Sequence, residues 1–89
     1  MTTALEVAKW MRMKIRREGP LRHKDAVEEI TKRFGDEFIY INENGNPAIR
    51  EDVLVAFREL TKYTVVWEQL MLRWRKRRPG DPPGVRQAD

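Results

Sequence analysis

The chain has 89 residues, enough for one domain with a modest hydrophobic core. It contains no cysteine, no serine and a single histidine, His23, which excludes disulfides, thiolate metal sites, a serine nucleophile and a histidine-rich metal site. The net charge is +4; bases outnumber acids at both ends of the chain, whereas acids outnumber bases between residues 36 and 68.

The sequence carries no signal for membrane insertion or export. No apolar run approaches the ~20 residues that a bilayer-spanning helix requires. Lys9, Arg12 and Lys14 interrupt the apolar residues near the N-terminus, unlike the continuous apolar region of a signal peptide. We therefore expect a cytoplasmic protein of bacterial type that makes no membrane contact.

The first predicted helix spans residues 3–18. Thr3 and Glu6 have the spacing of a capping box, in which the threonine side chain and the glutamate satisfy free amides at a helix start. Gly19 followed by Pro20 is typical of a helix end. The apolar stripe at helical spacing consists of Ala4, Ala8, Met11 and Ile15.

The middle of the chain predicts a second helix and a short strand. Helix 2 covers residues 23–34 and ends at Gly35, and its inward face consists of Ala26, Val27, Ile30 and Phe34. The β-branched and aromatic run 38–41 favours a strand, and the Asn- and Gly-rich residues 42–46 favour a tight turn.

A third helix is predicted to begin with Asn46 as its cap and Pro47 in its first turn, and to continue to about residue 62. Its predicted buried face consists of Ile49, Val53, Ala56, Phe57 and Leu60. Residues 64–67 predict a strand. Residues 69–77 fit either a helix or the return strand of a hairpin, and we favour the hairpin.

Residues 79–89 are rich in proline and glycine and predict no regular structure. We therefore expect a single compact domain over residues 1–78, followed by an extended or disordered tail over residues 79–89.

No metal, cofactor or catalytic site is predicted. Residues 40–51 have the spacing of a calcium loop, but Tyr40 occupies the first position, where a carboxylate is needed. The adjacent acids Asp36–Glu37 and Glu51–Asp52 point in different directions and do not form an acid–base pair. A turn and helix starts explain these residues, and we expect no enzymatic activity.

The strongest functional signal is a run of five cations within residues 73–78. On a strand, Arg73, Arg75 and Arg77 share one face and could follow a phosphate backbone, and Trp74 could stack on a base. The first hypothesis is therefore nucleic-acid binding by this basic hairpin together with the basic face of helix 1. The residues assigned to it are Arg73, Trp74, Arg75, Lys76, Arg77, Arg78, Arg12 and Arg16.

The second hypothesis is a protein-interaction or self-associating module. Several large apolar residues lie beside or outside the predicted core stripes, and an exposed apolar patch is typical of a surface that meets a protein partner or a second copy of the chain. These residues are Trp10, Met13, Leu70, Met71 and Leu72.

The predicted fold class is α+β, a three-helix core with short strands and a C-terminal β-hairpin. The order helix, helix, strand, helix, strand, strand resembles that of a winged-helix domain. Two features depart from that pattern. About twelve residues, 35–46, separate helices 2 and 3, and the charges of helix 3 balance.

The chain also resembles a group of small uncharacterised bacterial proteins, some of which are found on mobile gene cassettes. This resemblance implies a fold and no function. It rests on Phe34-Gly35, Phe38-Ile39-Tyr40, Asn42-Glu43-Asn44-Gly45-Asn46, Trp67, Trp74-Arg75 and Gly84-Val85-Arg86-Gln87.

Overall fold

A computed structural model describes residues 1–81 of the protein, and this part of the chain forms three helices and five short strands. The helices are α1 (Ala4–Glu18), α2 (His23–Phe34) and α3 (Glu51–Thr61). The strands are β1 (Leu21–Arg22), β2 (Ile39–Ile41), β3 (Pro47–Ile49), β4 (Val65–Glu68) and β5 (Arg73–Lys76). The predicted α+β class with a C-terminal hairpin is confirmed.

Helices α1 and α2 begin and end close to where the sequence predicts. The Thr3 hydroxyl accepts a hydrogen bond from the Glu6 amide at 3.2 Å, as the capping box requires. Both helices end at a glycine with positive φ, Gly19 at 90° and Gly35 at 85°, a conformation that side chains oppose. Each glycine donates its N–H to the carbonyl four residues earlier.

The C-terminal hairpin is part of a three-stranded antiparallel sheet in the order β1-β5-β4. In this sheet Trp74 pairs with Leu21 on one side and with Trp67 on the other. The hairpin prediction for residues 69–77 is confirmed and the helical alternative is wrong. Strand β1 was not predicted, because its two residues are too few to show any periodicity.

The start of helix α3 corrects a prediction. Pro47 does not lie in a helix; it begins β3, which pairs with β2 so that Ile41 faces Pro47 and Ile39 faces Ile49. Asn46 therefore caps no helix, and α3 begins at Glu51. A proline is tolerated at the first residue of an edge strand, where no partner needs its N–H.

One hydrophobic core lies between the helices and the three-stranded sheet. Helix α1 is central, since it packs along α3 and also contacts α2, β1 and β5. The largest fully buried side chains are Phe57, Met11, Ile15, Ile30, Ile49, Val7, Val53 and Val66. Within residues 1–81, none of the helices has both the length and the apolarity of a membrane span.

The predicted tail begins within the described residues and continues beyond them. Residues 79–81 follow β5 as a turn in which the Asp81 N–H donates to the Arg78 carbonyl at 2.9 Å. Residues 82–89, which include Gly84-Val85-Arg86-Gln87 and most of the predicted tail, lie outside the described residues.

Candidate nucleic-acid interface

Arg75 is not a surface cation. Its side chain is only 6% exposed and lies between two carboxylates. Its Nε lies 2.9 Å from Glu68, and its two terminal nitrogens each lie 3.0 Å from a carboxylate oxygen of Asp81. This two-pronged contact matches the planar geometry of a guanidinium. Arg75 therefore fastens the turn after β5 to the sheet.

The pKa values in this cluster follow from its opposite charges. Asp81 and then Glu68 raise the pKa of the Arg75 guanidinium. Arg75, followed by the Arg78 N–H, holds the pKa of the Asp81 carboxyl well below its usual range. Arg73 and then Arg75 lower the pKa of Glu68. Glu68, Arg75 and Asp81 are therefore charged at neutral pH.

Two more of the predicted nucleic-acid contacts bind other residues of the protein. The Arg73 Nε donates to Glu68, the same carboxylate that Arg75 uses. Trp74 is 9% exposed and packs against Trp67, with ring centres 4.8 Å apart, and against Phe57, at 5.4 Å. Arg75 and Trp74 are therefore too buried for the phosphate and base contacts that the sequence suggested, whereas Arg73 and Arg77 are half-buried.

The remaining cations of the run lie nearer to solvent. Lys76 and Arg78 are exposed, and Arg77 is half-buried. The Arg78 N–H donates to the Asp81 carboxylate at 2.6 Å. Arg77 also acts on Asp81, since its charge helps to lower the pKa of that carboxyl.

Lys76 and Arg77 meet two cations of helix α1 across a cleft of about 550 Å³. Arg12 and Arg16 are four residues apart, so they lie one above the other on the same face of α1. We call the site formed by Arg12, Arg16, Lys76 and Arg77 the basic cleft. Its other lining residues are Ile15, Leu60, Tyr63, Thr64 and Val65.

The charged residues that line the basic cleft are all cations among those that the structure describes. Among its described lining residues there is no aspartate or glutamate. Considering residues 1–81 only, no carboxylate lies within 4.0 Å of a charged nitrogen of Arg12, Arg16 or Lys76. Like charges held close together repel each other, so an anion that enters the cleft would relieve that repulsion.

Tyr63 is the residue of this site that the sequence analysis missed. It is 74% exposed at the edge of the cleft, just after α3, and the Lys62 ammonium lies 5.4 Å from the centre of its ring. An exposed aromatic ring beside several cations is a feature of surfaces on which bases stack. A lone tyrosine in a polar stretch gave no periodic signal that could have identified it.

The residues of the alternative interface are separated in the structure. Trp10 is 8% exposed in the core, where it packs edge-on against Phe34, and Met13 packs against that core. The prediction of one exposed patch is therefore wrong for these two residues. Leu70, Met71 and Leu72 form the turn between β4 and β5 and are exposed. We call these three residues the hairpin tip.

The Asn-rich loop uses its side chains for its own turn. The Asn42 carboxamide oxygen accepts hydrogen bonds from the N–H groups of Asn44 and Asn46, both at 3.0 Å. This arrangement holds the loop that joins β2 to β3. No group of three or more potential metal ligands is found in the part of the chain that the structure describes.

Comparison with known proteins gives a family. The sequence profile of one family of unknown function, DUF6953, matches residues 3–76, which is most of the chain. The chain belongs to the DUF6953 family. No curated protein and no solved structure matches it significantly. The DUF6953 match includes Arg12, Arg16 and Lys76 of the basic cleft and stops one residue before Arg77.

Proposed function

We propose that this DUF6953 protein is a non-catalytic domain that binds nucleic acid through the basic cleft. The observation that carries the proposal is the meeting of cations from α1 and from the end of β5 around an exposed tyrosine, in a cleft without an acidic lining residue among those described. Cations on facing walls suit a phosphate backbone, and Tyr63 suits stacking on an unpaired base.

The proposal divides the arginine run into two groups with different roles. Arg73 and Arg75 bind carboxylates of the protein itself and hold the hairpin and the following turn together. Lys76 faces the cleft, and the exposed Arg78 extends the positive surface beyond it. Binding therefore depends on the end of β5 and on α1, and less on the first half of the run.

A winged-helix-like arrangement is consistent with this proposal, but with an unusual binding mode. The order α1-β1-α2-β2-β3-α3-β4-β5, with the first short strand added to the edge of the C-terminal hairpin, supports that resemblance, and the pair β2–β3 between α2 and α3 departs from it. Helix α3, however, has one base, Arg58, against three acids, Glu51, Asp52 and Glu59, and the flanking Arg50 and Lys62 only balance that charge. Because α3 carries no excess of positive charge, we propose that α1 and β5, and not α3, meet the nucleic acid.

Fluorescence anisotropy with labelled duplex DNA, single-stranded DNA and RNA tests the proposal. Neutralising three to four phosphates gives a slope of about −3 in log affinity against log salt, or roughly 40- to 150-fold weaker duplex binding at 200 mM than at 50 mM salt. Tyr63 further predicts that single strands compete well with duplex. If none of the three is bound at 50 mM salt, the proposal is wrong.

The hairpin tip supports a second candidate function, a protein-interaction or self-associating module. Leu72 is 53% exposed and has a φ of 49°, an unfavourable backbone conformation for a leucine. A strained backbone and an exposed apolar side chain contribute little to the fold, and together they favour a role at an interface.

Light scattering over a range of protein concentrations tests self-association through the tip. We expect the wild-type mass to rise with concentration, and the double variant Leu70→Gln, Met71→Gln to remain a monomer. Val55→Gln removes an apolar side chain that is exposed on α3 and serves as the control. A wild-type protein that stays monomeric throughout would count against self-association.

The cellular context is proposed from the sequence. We propose a cytoplasmic protein of bacterial origin, encoded in some cases on a mobile gene cassette, as the family resemblance and the composition indicate. Binding of nucleic acid would be compatible with that setting.

A further inference from the structure

We propose that a second site, an aromatic pocket between α3 and the β4–β5 hairpin, binds a small flat aromatic molecule that carries a negative charge. The pocket has a volume of about 420 Å³. It is separate from the basic cleft: among the described lining residues, Val65 is the one that both share. The inference is therefore independent of nucleic-acid binding.

Four aromatic rings form the interior of the pocket. Trp74 contacts Phe57, Trp67 and His23, with ring centres 5.4, 4.8 and 6.0 Å apart, and His23 also meets Trp67 edge-on at 6.5 Å. Phe57 and Trp74 are almost fully buried and form the floor of the pocket. Trp67 and His23 are half-buried despite these contacts, so both remain accessible from the pocket.

The size and the lining of the pocket suit a small ligand. Binding sites for small molecules are commonly about 300–1,000 Å³, mainly apolar, with few polar groups that fix the orientation. A small domain usually fills such a space with its own side chains, because interiors are packed to the density of organic crystals. Here Trp67 and His23 remain partly open to the pocket, and His23 adds ring nitrogens that can form hydrogen bonds.

The charged residues around the pocket favour a ligand that carries a negative charge. Arg58 and Lys62 are exposed and line the pocket, and none of its described lining residues is acidic. Arg58 contacts Glu51 at 2.9 Å, but both side chains are solvent-exposed, and Lys62 lies 3.9 Å from Glu59. Such exposed pairs are weak, so both cations can turn to a ligand carboxylate.

The state of His23 is also consistent with a negatively charged ligand. Burial lowers the pKa of its imidazole, so at neutral pH the ring is uncharged and adds no competing cation inside the pocket. An aromatic carboxylate would therefore place its ring among Trp67, Trp74 and His23 and its charge at Arg58 and Lys62.

The test uses 1-naphthoate and its uncharged analogue 1-naphthalenemethanol, titrated into the full ¹⁵N-labelled chain. The indole N–H signals of Trp67 and Trp74 report on the pocket, and that of Trp10, which packs against Phe34, is the internal reference. We expect naphthoate to shift the Trp67 and Trp74 signals in a saturable manner and to leave Trp10 in place. No shift at millimolar ligand, or equal shifts of all three signals, would overturn the proposal.

Two double variants test the charge assignment. Arg58→Gln with Lys62→Gln removes both rim cations, and Lys9→Gln with Lys32→Gln removes two exposed cations elsewhere. The rim variant should bind naphthoate roughly tenfold more weakly and the alcohol equally well, whereas the control should match the wild type. Equal naphthoate binding by the rim variant, or equal wild-type affinity for both probes, would refute an anionic ligand.

Discussion

Arg75 and Lys76 are neighbours in the sequence with opposite surroundings. Strand β5 directs alternate side chains to opposite sides, as the sequence predicts. Which arginines face solvent could not be predicted, because every residue but one in the run is a cation. Asp81, whose carboxylate contacts Arg75, lies in a stretch for which the sequence predicts no structure. Arg75 also pairs across the sheet with Val66, which is 1% exposed.

The carboxylate of Glu68 makes stability depend on pH in the acidic range. Contact with Arg73 and Arg75 holds its folded-state pKa below the ordinary 4.5. Glu68 therefore stabilises the fold above that pH, and the effect is lost as the pH falls through the folded-state pKa. We expect Glu68→Gln to lower the free energy of unfolding at pH 7, and the difference from the wild type to shrink as the pH falls below 4.

Urea denaturation at pH 7 and at pH 2.5 measures this dependence. Glu43→Gln changes an exposed glutamate of the Asn-rich loop and should leave stability nearly unchanged at both values. An equal deficit of Glu68→Gln at pH 7 and pH 2.5 would mean that its charge does not stabilise the hairpin.

At the scale of elements, local patterns predicted α1 and α2 well and the start of α3 poorly. Helices with a cap, an apolar stripe and a terminal glycine contain their own signals. Strand β3 exists because Ile49 pairs with Ile39 across the loop, and that pairing is not visible in the local sequence. Asn46-Pro47 is compatible with a helix start and with a strand start, and only the partner strand decides between them.

The hairpin tip offers a test of backbone strain. Because leucine is disfavoured at a φ of 49° and asparagine tolerates it, Leu72→Asn should raise the free energy of unfolding by about 0.5–1 kcal/mol. Leu70→Asn, at an exposed neighbour in the same turn, should change it by less than about 0.5 kcal/mol. Chemical denaturation measures both, and a destabilised Leu72→Asn protein would show that the leucine side chain supports the fold.

At the scale of the whole molecule, the basic cleft depends on tertiary structure. The sequence identifies Arg12 and Arg16 near one end of the domain and Lys76 and Arg77 near the other as candidates. The packing of α1 against α3 and β5 brings the two pairs to one cleft. Neither this convergence nor the position of Tyr63 beside it could be predicted, because both depend on contacts between residues that are distant in the sequence.

The most direct test of nucleic-acid binding by the cleft compares the salt dependence of two double variants. Arg12→Gln with Lys76→Gln removes one cation from each wall of the cleft, and Lys24→Gln with Lys32→Gln makes the same change in net charge on α2, away from the cleft. Binding to duplex DNA is measured by anisotropy from 50 to 200 mM salt. The slope of log affinity against log salt should be about 1.8 less negative for the cleft variant than for the wild type, and the control should retain the wild-type slope. Equal slopes for the two variants would contradict binding through the cleft.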